Sequence, residues 1–268
     1  MTRDISPDIG TVKLCLTEPH DCSYLEGRRS TTAFVDLSLS IDTDLYSRMT
    51  EMGFRRSGPY LYAPMCAQCS ACVPARVPVA TFKANRSQKR CLNKNADIMI
   101  EPVGEINSGE HFPLYARYIN ERHPEGDMYP PSRKQFEEFL GNPWESTQFL
   151  EFRLADKLIG CAVIDIINNG LSAIYTYFDP AYTDRSIGNL AILFEIAMAQ
   201  RLGLDYLYLG YWIADCAKMK YKTNYKPLQL YRENSLQLAD WLCYTGRFRA
   251  NLPRFQEQQN KHLINILI

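Results

Sequence analysis

Leu171, Ser172, Ala173, Ile174, Tyr175, Thr176, Tyr177 and Phe178, halted by Asp179 and Pro180, are the residues on which the fold turns. β-Branched and aromatic side chains running into Asp-Pro have the composition of a buried strand that ends in a turn. After the turn, Thr183, Asp184, Arg185, Ser186, Ile187 and Gly188 lead into Leu190, Ile192, Leu193, Ile196 and Ala197, apolar residues at helical spacing, and the pattern stops at Gly203. Tyr206, Leu207, Tyr208, Leu209, Gly210, Tyr211, Trp212 and Ile213 then read as a second strand. Strand, turn, helix, strand is a βαβ unit, which predicts two parallel strands with ligands near their carboxyl ends. The turn ahead of the helix offers free amides suited to an anion or a carbonyl oxygen.

Working outward, residues 147–154 and 158–167 predict two antiparallel strands, and Asn168, Asn169 and Gly170 a hairpin turn into the opening strand. Residues 110–123 and 133–140 have helical apolar spacing. Strands paired in sequence, then a helix, then a parallel strand, is the order of an N-acetyltransferase-like (GNAT-like) sheet. The expected class is therefore α+β with an α/β-like core. Earlier in the chain, residues 12–16 predict an edge strand, Asp42 or Thr43 the cap of a helix through Met52, and residues 54–62 a strand or hairpin. Residues 73–79 contain Pro74 and Pro78 and predict an irregular or edge strand; residues 87–95 predict a short basic helix and 98–103 a strand. The expected division is residues 1–103 as a smaller cysteine-containing α+β region, 104–233 as the GNAT-like region and 234–268 as a polar helical extension.

The chain of 268 residues, 46% hydrophobic and 22% charged, has an ordinary globular composition. No apolar run approaches the ~20 residues of a membrane span. Residues 1–10 carry acids and a proline where a signal peptide has an apolar core, so the expected setting is the cytoplasm, with no membrane partner. A formal net charge of zero provides no global attraction for nucleic acid. The distribution is uneven, however. Residues 65–96 contain no acid but do contain Arg76, Lys83, Arg86, Lys89, Arg90 and Lys94, and a second basic group is Lys218, Lys220, Lys222 and Lys226, with Arg247, Arg249 and Arg254 beyond. Spacing alone leaves a solvated face and a phosphate site equally open.

Nine cysteines in a cytoplasmic chain are not expected as disulfides. Cys66, Cys69 and Cys72 are regularly spaced, and Cys22 follows His20 and Asp21. Such a set suits zinc or an iron-sulfur cluster, with Cys22 as fourth ligand, and equally suits small buried residues in a tight loop.

Several motifs in order now carry a resemblance: residues 20–25, 53–58 (GFRRSG), Cys66 with Cys69 and Cys72, 86–90 (RSQKR), Arg122 with His123, 128–131, 172–180, 186–193 and 207–222. On these residues the chain resembles the arginyl-tRNA protein transferase family, in its bacterial branch of aspartate/glutamate leucyltransferases, over most of its length. The resemblance implies transfer of leucine from leucyl-tRNA, as co-substrate, to the α-amine of proteins beginning with Asp or Glu, marking them for degradation, with no organic cofactor. Eukaryotic relatives carry a CxxC where this chain has Cys22 and Leu25, so their metal or cluster site transfers only in part. Arg185, Ile187 and Gly188 resemble the coenzyme A loop of acetyltransferases, but Leu190 stands where a second glycine belongs. A coenzyme A-dependent N-acetyltransferase and a cysteine-metal RNA-binding module without catalysis are the alternatives.

An aminoacyl ester is already activated, and an α-amine has a reference pKa of ~8, so no enzyme nucleophile is needed. The site must supply positioning, oxyanion donors and a proton acceptor. No Ser/His/Asp arrangement is evident among four histidines. An acidic acceptor side chain calls for arginine, with Arg55, Arg56 and Arg76 as candidates. Arg86, Lys89, Arg90, Lys218, Lys220 and Lys222 are candidates for tRNA phosphates. Tyr177, Asp179 and Tyr211 are candidates to hold the amine and terminal adenosine, and the amides around Ser186 and Gly188 to meet the oxyanion. Core packing of Tyr177 and Tyr211, a turn role for Asp179 and a loop role for His123 are the competing readings.

Overall fold

The computed structural model describes residues 11–233, 239–246 and 263–267. Residues 1–10, on which the expected lack of a leader rests, and Arg247, Arg249 and Arg254 lie outside them. The first region supplies β1 (Thr11–Leu16), the short pair β2 (His20–Asp21) and β3 (Arg29–Ser30), β4 (Thr32–Val35), α1 (Thr43–Glu51), β5 (Arg55–Ser57), β6 (Tyr60–Pro64), β7 (Val73–Pro78), α2 (Arg86–Lys94) and β8 (Met99–Val103). Then come α3 (Ser108–Arg122), α4 (Arg133–Leu140), β9 (Thr147–Leu154), β10 (Lys157–Ile167), β11 (Gly170–Phe178), α5 (Ile187–Arg201), β12 (Tyr206–Trp212), β13 (Gln229–Glu233), β14 (Ala239–Cys243) and β15 (Leu263–Leu267). Local chemistry fixes the helix starts. The Asp42 carboxylate accepts from the Leu45 amide at α1, and Asn85 and Gln88 form a reciprocal capping box on α2.

The elements build a mixed α+β architecture. An eight-stranded sheet runs β14-β13-β7-β12-β11-β10-β9-β8, and a five-stranded sheet runs β15-β1-β4-β6-β5. In the larger sheet only β11 and β12 pair in parallel, as a connection through α5 requires. α5 packs on one face, where Leu171, Ile187, Leu190, Ile196 and Leu207 share a core. α3 and α4 cover the other face, through Leu114, Tyr115, Ile119, Phe136 and Tyr177. The smaller sheet and α1 enclose Val12, Leu14, Tyr46, Met49 and Leu61, and Ile167 and Tyr208 of the larger sheet join that core. β7 and β8, both before residue 104, lie within the larger sheet.

Three expectations are corrected. β7 is an interior strand between β13 and β12: β13 pairs with it only at Ala75 and Arg76, so Pro74 and Pro78 flank the short ladder on that side. β1 is also interior, between β15 and β4. Within residues 234–268 the described regular elements are strands, β14 paired to β13 and β15 to β1. Their polar sequence suggests a helix, and it is long-range strand pairing that decides the backbone.

Candidate active site

β11 and β12 are hydrogen-bonded neighbours only at their beginnings, from Gly170 opposite Tyr206 to Ser172 opposite Tyr208. β11 then stays with β10 as far as Phe178, while β12 stays with β7 as far as Trp212, so the sheet opens between them toward their carboxyl ends. Opening a sheet strands backbone carbonyls, which need donors. Arg55 supplies them: its Nη2 donates to the Ala173 carbonyl at 2.7 Å and to the Tyr208 carbonyl at 3.4 Å.

A second cation meets Arg55 there. Lys222 is 4% exposed, and its Nζ donates to the Tyr211 carbonyl and lies 3.4 Å from Met219 Sδ. Gly210 sits between the two. Its φ of +79° suits glycine, and a Cβ built there would lie 3.7 Å from Arg55 Nε and 3.8 Å from Lys222 Nζ. Among the described residues neither cation has a carboxylate partner within ion-pair distance. Burial, reinforced by the nearby Arg55 charge, lowers the Lys222 pKa from 10.5 to about 7.

The inward turn of Lys222 corrects the expectation that it joins Lys218 and Lys220 on phosphates. Residues Ala217–Asn224 form 3-10 turns, which repeat every third residue. Cys216, Lys222 and Tyr225 are accordingly buried and Met219 half-buried, while Lys218 and Lys220 face solvent.

The remaining expected acceptor residues have protein partners. Arg56 donates from Nε and Nη2 to both oxygens of Asp165, which also accepts from Tyr46 and Thr147. Burial opposes the Arg56 charge, but Asp165 outweighs it and raises the pKa. Arg76 lies against the Tyr206 ring at 3.5 Å and the Trp241 ring at 4.3 Å, and donates to Gln229 at 2.8 Å.

Of the expected catalytic side chains, Tyr177 packs on the α3 and α4 face, in contact with His111 Nδ1 at 2.7 Å; His111 Nε2 in turn meets Glu151 at 2.9 Å. Burial keeps His111 below its ordinary pKa despite Glu151. Asp179 accepts from the Ala181 amide and pairs with Arg117 at 2.7 Å and Lys157 at 3.3 Å. Burial works against its charge, and those donors prevail, lowering its pKa. The Tyr211 hydroxyl donates to the Gly53 carbonyl at 3.0 Å, so only its backbone carbonyl faces Lys222. Ser186, with φ 55° and ψ 47°, turns the chain into α5, and a Cβ on Gly188 would meet nothing closer than Phe178 at 4.0 Å.

The fold brings the two basic stretches together. Gln88 Nε2 of α2 donates to the Asn224 carbonyl, and Asn95 and Lys94 donate to the Arg185 and Asp184 carbonyls just ahead of α5. Arg86, Lys89 and Arg90 therefore stand exposed beside the start of α5, on the same side as the segment that carries Lys218 and Lys220.

The cysteine loop borders the opening as well. Burial, then the thiols of Cys66, Cys22 and Cys69, push the Cys72 thiol up to about 12, which keeps it protonated at neutral pH. The thiols feel one another, yet among the described residues no three His, Cys, Asp or Glu side chains converge as a metal requires. Cys66 Sγ instead contacts the Thr31 carbonyl at 3.8 Å and the Ser30 hydroxyl at 3.7 Å.

Two further groups, one on α5 and one beside Lys222, carry no role in the sequence reading. Glu195 of α5 is 1% exposed, with neither carboxyl oxygen hydrogen-bonded among the described residues, and burial pushes its pKa up to about 8. Tyr221, 41% exposed, has a hydroxyl that senses Glu195, Tyr118 and Arg55. Signals existed for both. Glu195 is a lone acid among Leu193, Phe194, Ile196 and Ala197, and Tyr221 precedes the inward lysine.

The family model described as "Arginine-tRNA-protein transferase, N terminus" matches residues 20–90, and "Arginine-tRNA-protein transferase, C terminus" matches residues 110–232. The chain is 50% identical over 238 residues to the aspartate/glutamate leucyltransferase of Saccharophagus degradans, covering 88% of this chain and 99% of that one. It is 52% identical over 223 residues to the protein of the same name from Pseudomonas fluorescens strain Pf0-1, covering 83% and 95%. Among solved structures, L-PGS from Bacillus licheniformis aligns at a TM-score of 0.46 with 10% identity, over 61% of this chain and 60% of that one.

Proposed function

The chain belongs to the arginine-tRNA-protein transferase family, and on that footing we propose that it is an aminoacyltransferase moving leucine from leucyl-tRNA to the α-amine of proteins beginning with Asp or Glu. The single observation that carries the acceptor half of this reading is the pair of buried cations, Arg55 and Lys222, meeting at Gly210 without a carboxylate. Buried charges are ordinarily paired. The missing partner here is the side-chain carboxylate of the acceptor's first residue.

In the reaction the acceptor nitrogen attacks the ester carbonyl carbon, a C–N bond forms and the bond to the ribose oxygen breaks. The proton lost by the amine is matched by the one gained at the released ribose hydroxyl. Arg55 and Lys222 hold the acceptor so that its amine stands in the opening between β11 and β12, and fixed positioning of this kind contributes ~7–11 kcal/mol. A bound carboxylate favours the protonated form of Lys222.

The donor lies along the other rim. Arg86, Lys89, Arg90, Lys218 and Lys220 face solvent without an ion-pair partner among the described residues, and they take the tRNA phosphates. The amides that begin α5, beside α2, suit a backbone phosphate near the acceptor end. Residues 1–103 supply Arg55 to the acceptor seat, and residues 104–233 supply Lys222 and most of the transfer platform, a GNAT-like sheet by its order of paired strands, helix and parallel strand. No step uses the cysteines. The setting is the cytoplasm, where the new N-terminal leucine marks the product for degradation.

Incubation with leucyl-tRNA and a peptide beginning with Glu tests this, read by mass spectrometry. One added leucine is the expected product; no extension, together with thermal stabilisation by acetyl-coenzyme A, would overturn the reading in favour of an acetyltransferase.

A further inference from the structure

We infer that the Glu195 carboxyl binds the α-ammonium group of the leucine carried by the donor. This rests on the reading of the chain as a leucyl transferase and names a specificity contact within it. Glu195 lies in the middle of α5, the helix packed against both β11 and β12. It is 1% exposed, and both of its oxygens lack a hydrogen-bond partner among the described residues. Buried polar groups are almost always satisfied, and a carboxyl with both oxygens buried and unpartnered points to a ligand.

α5, which carries Glu195, packs against both strands that border the opening, and the carboxyl lies within electrostatic reach of the Tyr221 and Tyr225 hydroxyls. The Tyr225 hydroxyl is already committed, donating to Asn189 at 2.7 Å, so it does not satisfy Glu195. No lysine, arginine or histidine of the described residues forms an ion pair with the carboxyl.

Chemistry selects which cation fills the vacancy. Two amines meet in this reaction. The acceptor's must be neutral to attack, and a carboxylate holding it as ammonium would stop the reaction. The donor's α-amine takes no part in bond making and can stay charged throughout, so a carboxylate both holds it and selects for it. On binding, the carboxyl gives its proton to solvent and pairs with the ammonium; no covalent bond changes. A donor whose α-nitrogen is acylated, as in a peptidyl-tRNA, would leave the carboxyl unpaired and be refused.

The test compares leucyl-tRNA with its deaminated counterpart, 2-hydroxy-4-methylpentanoyl-tRNA, which has the same shape and ester but no charge, using one Glu-starting peptide. Wild-type protein is expected to use the leucyl donor roughly 10- to 100-fold better in kcat/KM, the range of a charged hydrogen bond. In Glu195→Gln that preference is expected to fall to within about 3-fold, through loss of the leucyl donor alone. Equal use of both donors by the wild type, which needs no variant to fold, overturns the inference, as does an equal loss on both donors in a Glu195→Gln protein whose Tm is not lowered. If wild-type protein fails on leucyl-tRNA itself, the reading as a leucyl transferase is what has failed.

Discussion

Arg55 and Arg56 are neighbours on β5 and are both buried, yet they live in opposite surroundings. Around Arg56 each nitrogen has a partner: Asp165 accepts two hydrogen bonds, Thr147 and the Gly58 carbonyl one each, and Tyr46 completes the cluster. Around Arg55 the accounting stops short, since it meets Lys222 at Gly210 and neither has a charged partner among the described residues. Alternation along a strand sends successive side chains to opposite faces, so one residue's difference moves an arginine from a closed network to an open one. A buried polar cluster that satisfies itself holds the fold together. One that does not is where the proposed function seats substrate.

The comparison breaks first on Arg56. Arg56→Ala leaves Asp165 buried and unpaired, and is expected to cost about 3–5 kcal/mol of stability in denaturant unfolding. If the loss is under about 1 kcal/mol, the cluster is not what closes this part of the fold. Arg55→Ala is expected to do the reverse: transfer to a Glu-starting peptide falls about 100-fold in kcat/KM while the unfolding midpoint moves little, because only a substrate partner and two carbonyl contacts are lost.

pH sharpens it next, with opposite signs for Glu195 of α5 and Lys222. Glu195 has a folded value of about 8 against an ordinary 4.5, so the folded chain binds the extra proton between those values and this contribution to stability is lost as pH rises through 8. Glu195→Gln should remove that loss and leave the protein more stable than wild type at pH 9. Lys222 is depressed from 10.5 to about 7, so the unfolded chain binds more protons in that window and stability rises with pH across it. Lys222→Met should flatten the rise and make the protein more stable at pH 6, by an amount on the order of a few kcal/mol at most. Unfolding curves across pH 5 to 10 at about unit intervals check both. The smallest effect belongs to the rim: Lys89→Ala with Arg90→Ala should lower the slope of log affinity for tRNA against log salt by about 0.7–0.9 per lost contact.

Much of the fold was legible because the decisive unit is local. The strand from Gly170, the helix to Arg201 and the strand from Tyr206 fall within a few residues of the sequence reading, as do the α1 cap at Asp42 and the strands β9 and β10. β15 was illegible because its partner, β1, lies at the other end of the chain, and β7 because its prolines suggest an edge while its position between β12 and β13 is a tertiary matter. At the site, the arginines and lysines were found by residue type, and their roles were not. Arg56 looks like Arg55 in sequence until Asp165 is folded onto it. Lys222 looks like Lys220 until the backbone takes a three-residue period and turns one inward and the other out.

The central claim is that Arg55 and Lys222 are the seat of an acidic acceptor side chain. It is tested most directly by offering wild-type protein leucyl-tRNA with two peptides that differ only in beginning with Glu or with Gln, and measuring leucine addition to each. The expected result is addition to the Glu peptide at least about 10-fold more efficient than to the Gln peptide, with that preference gone in Arg55→Ala. Equal addition to both peptides by the wild-type protein would contradict it.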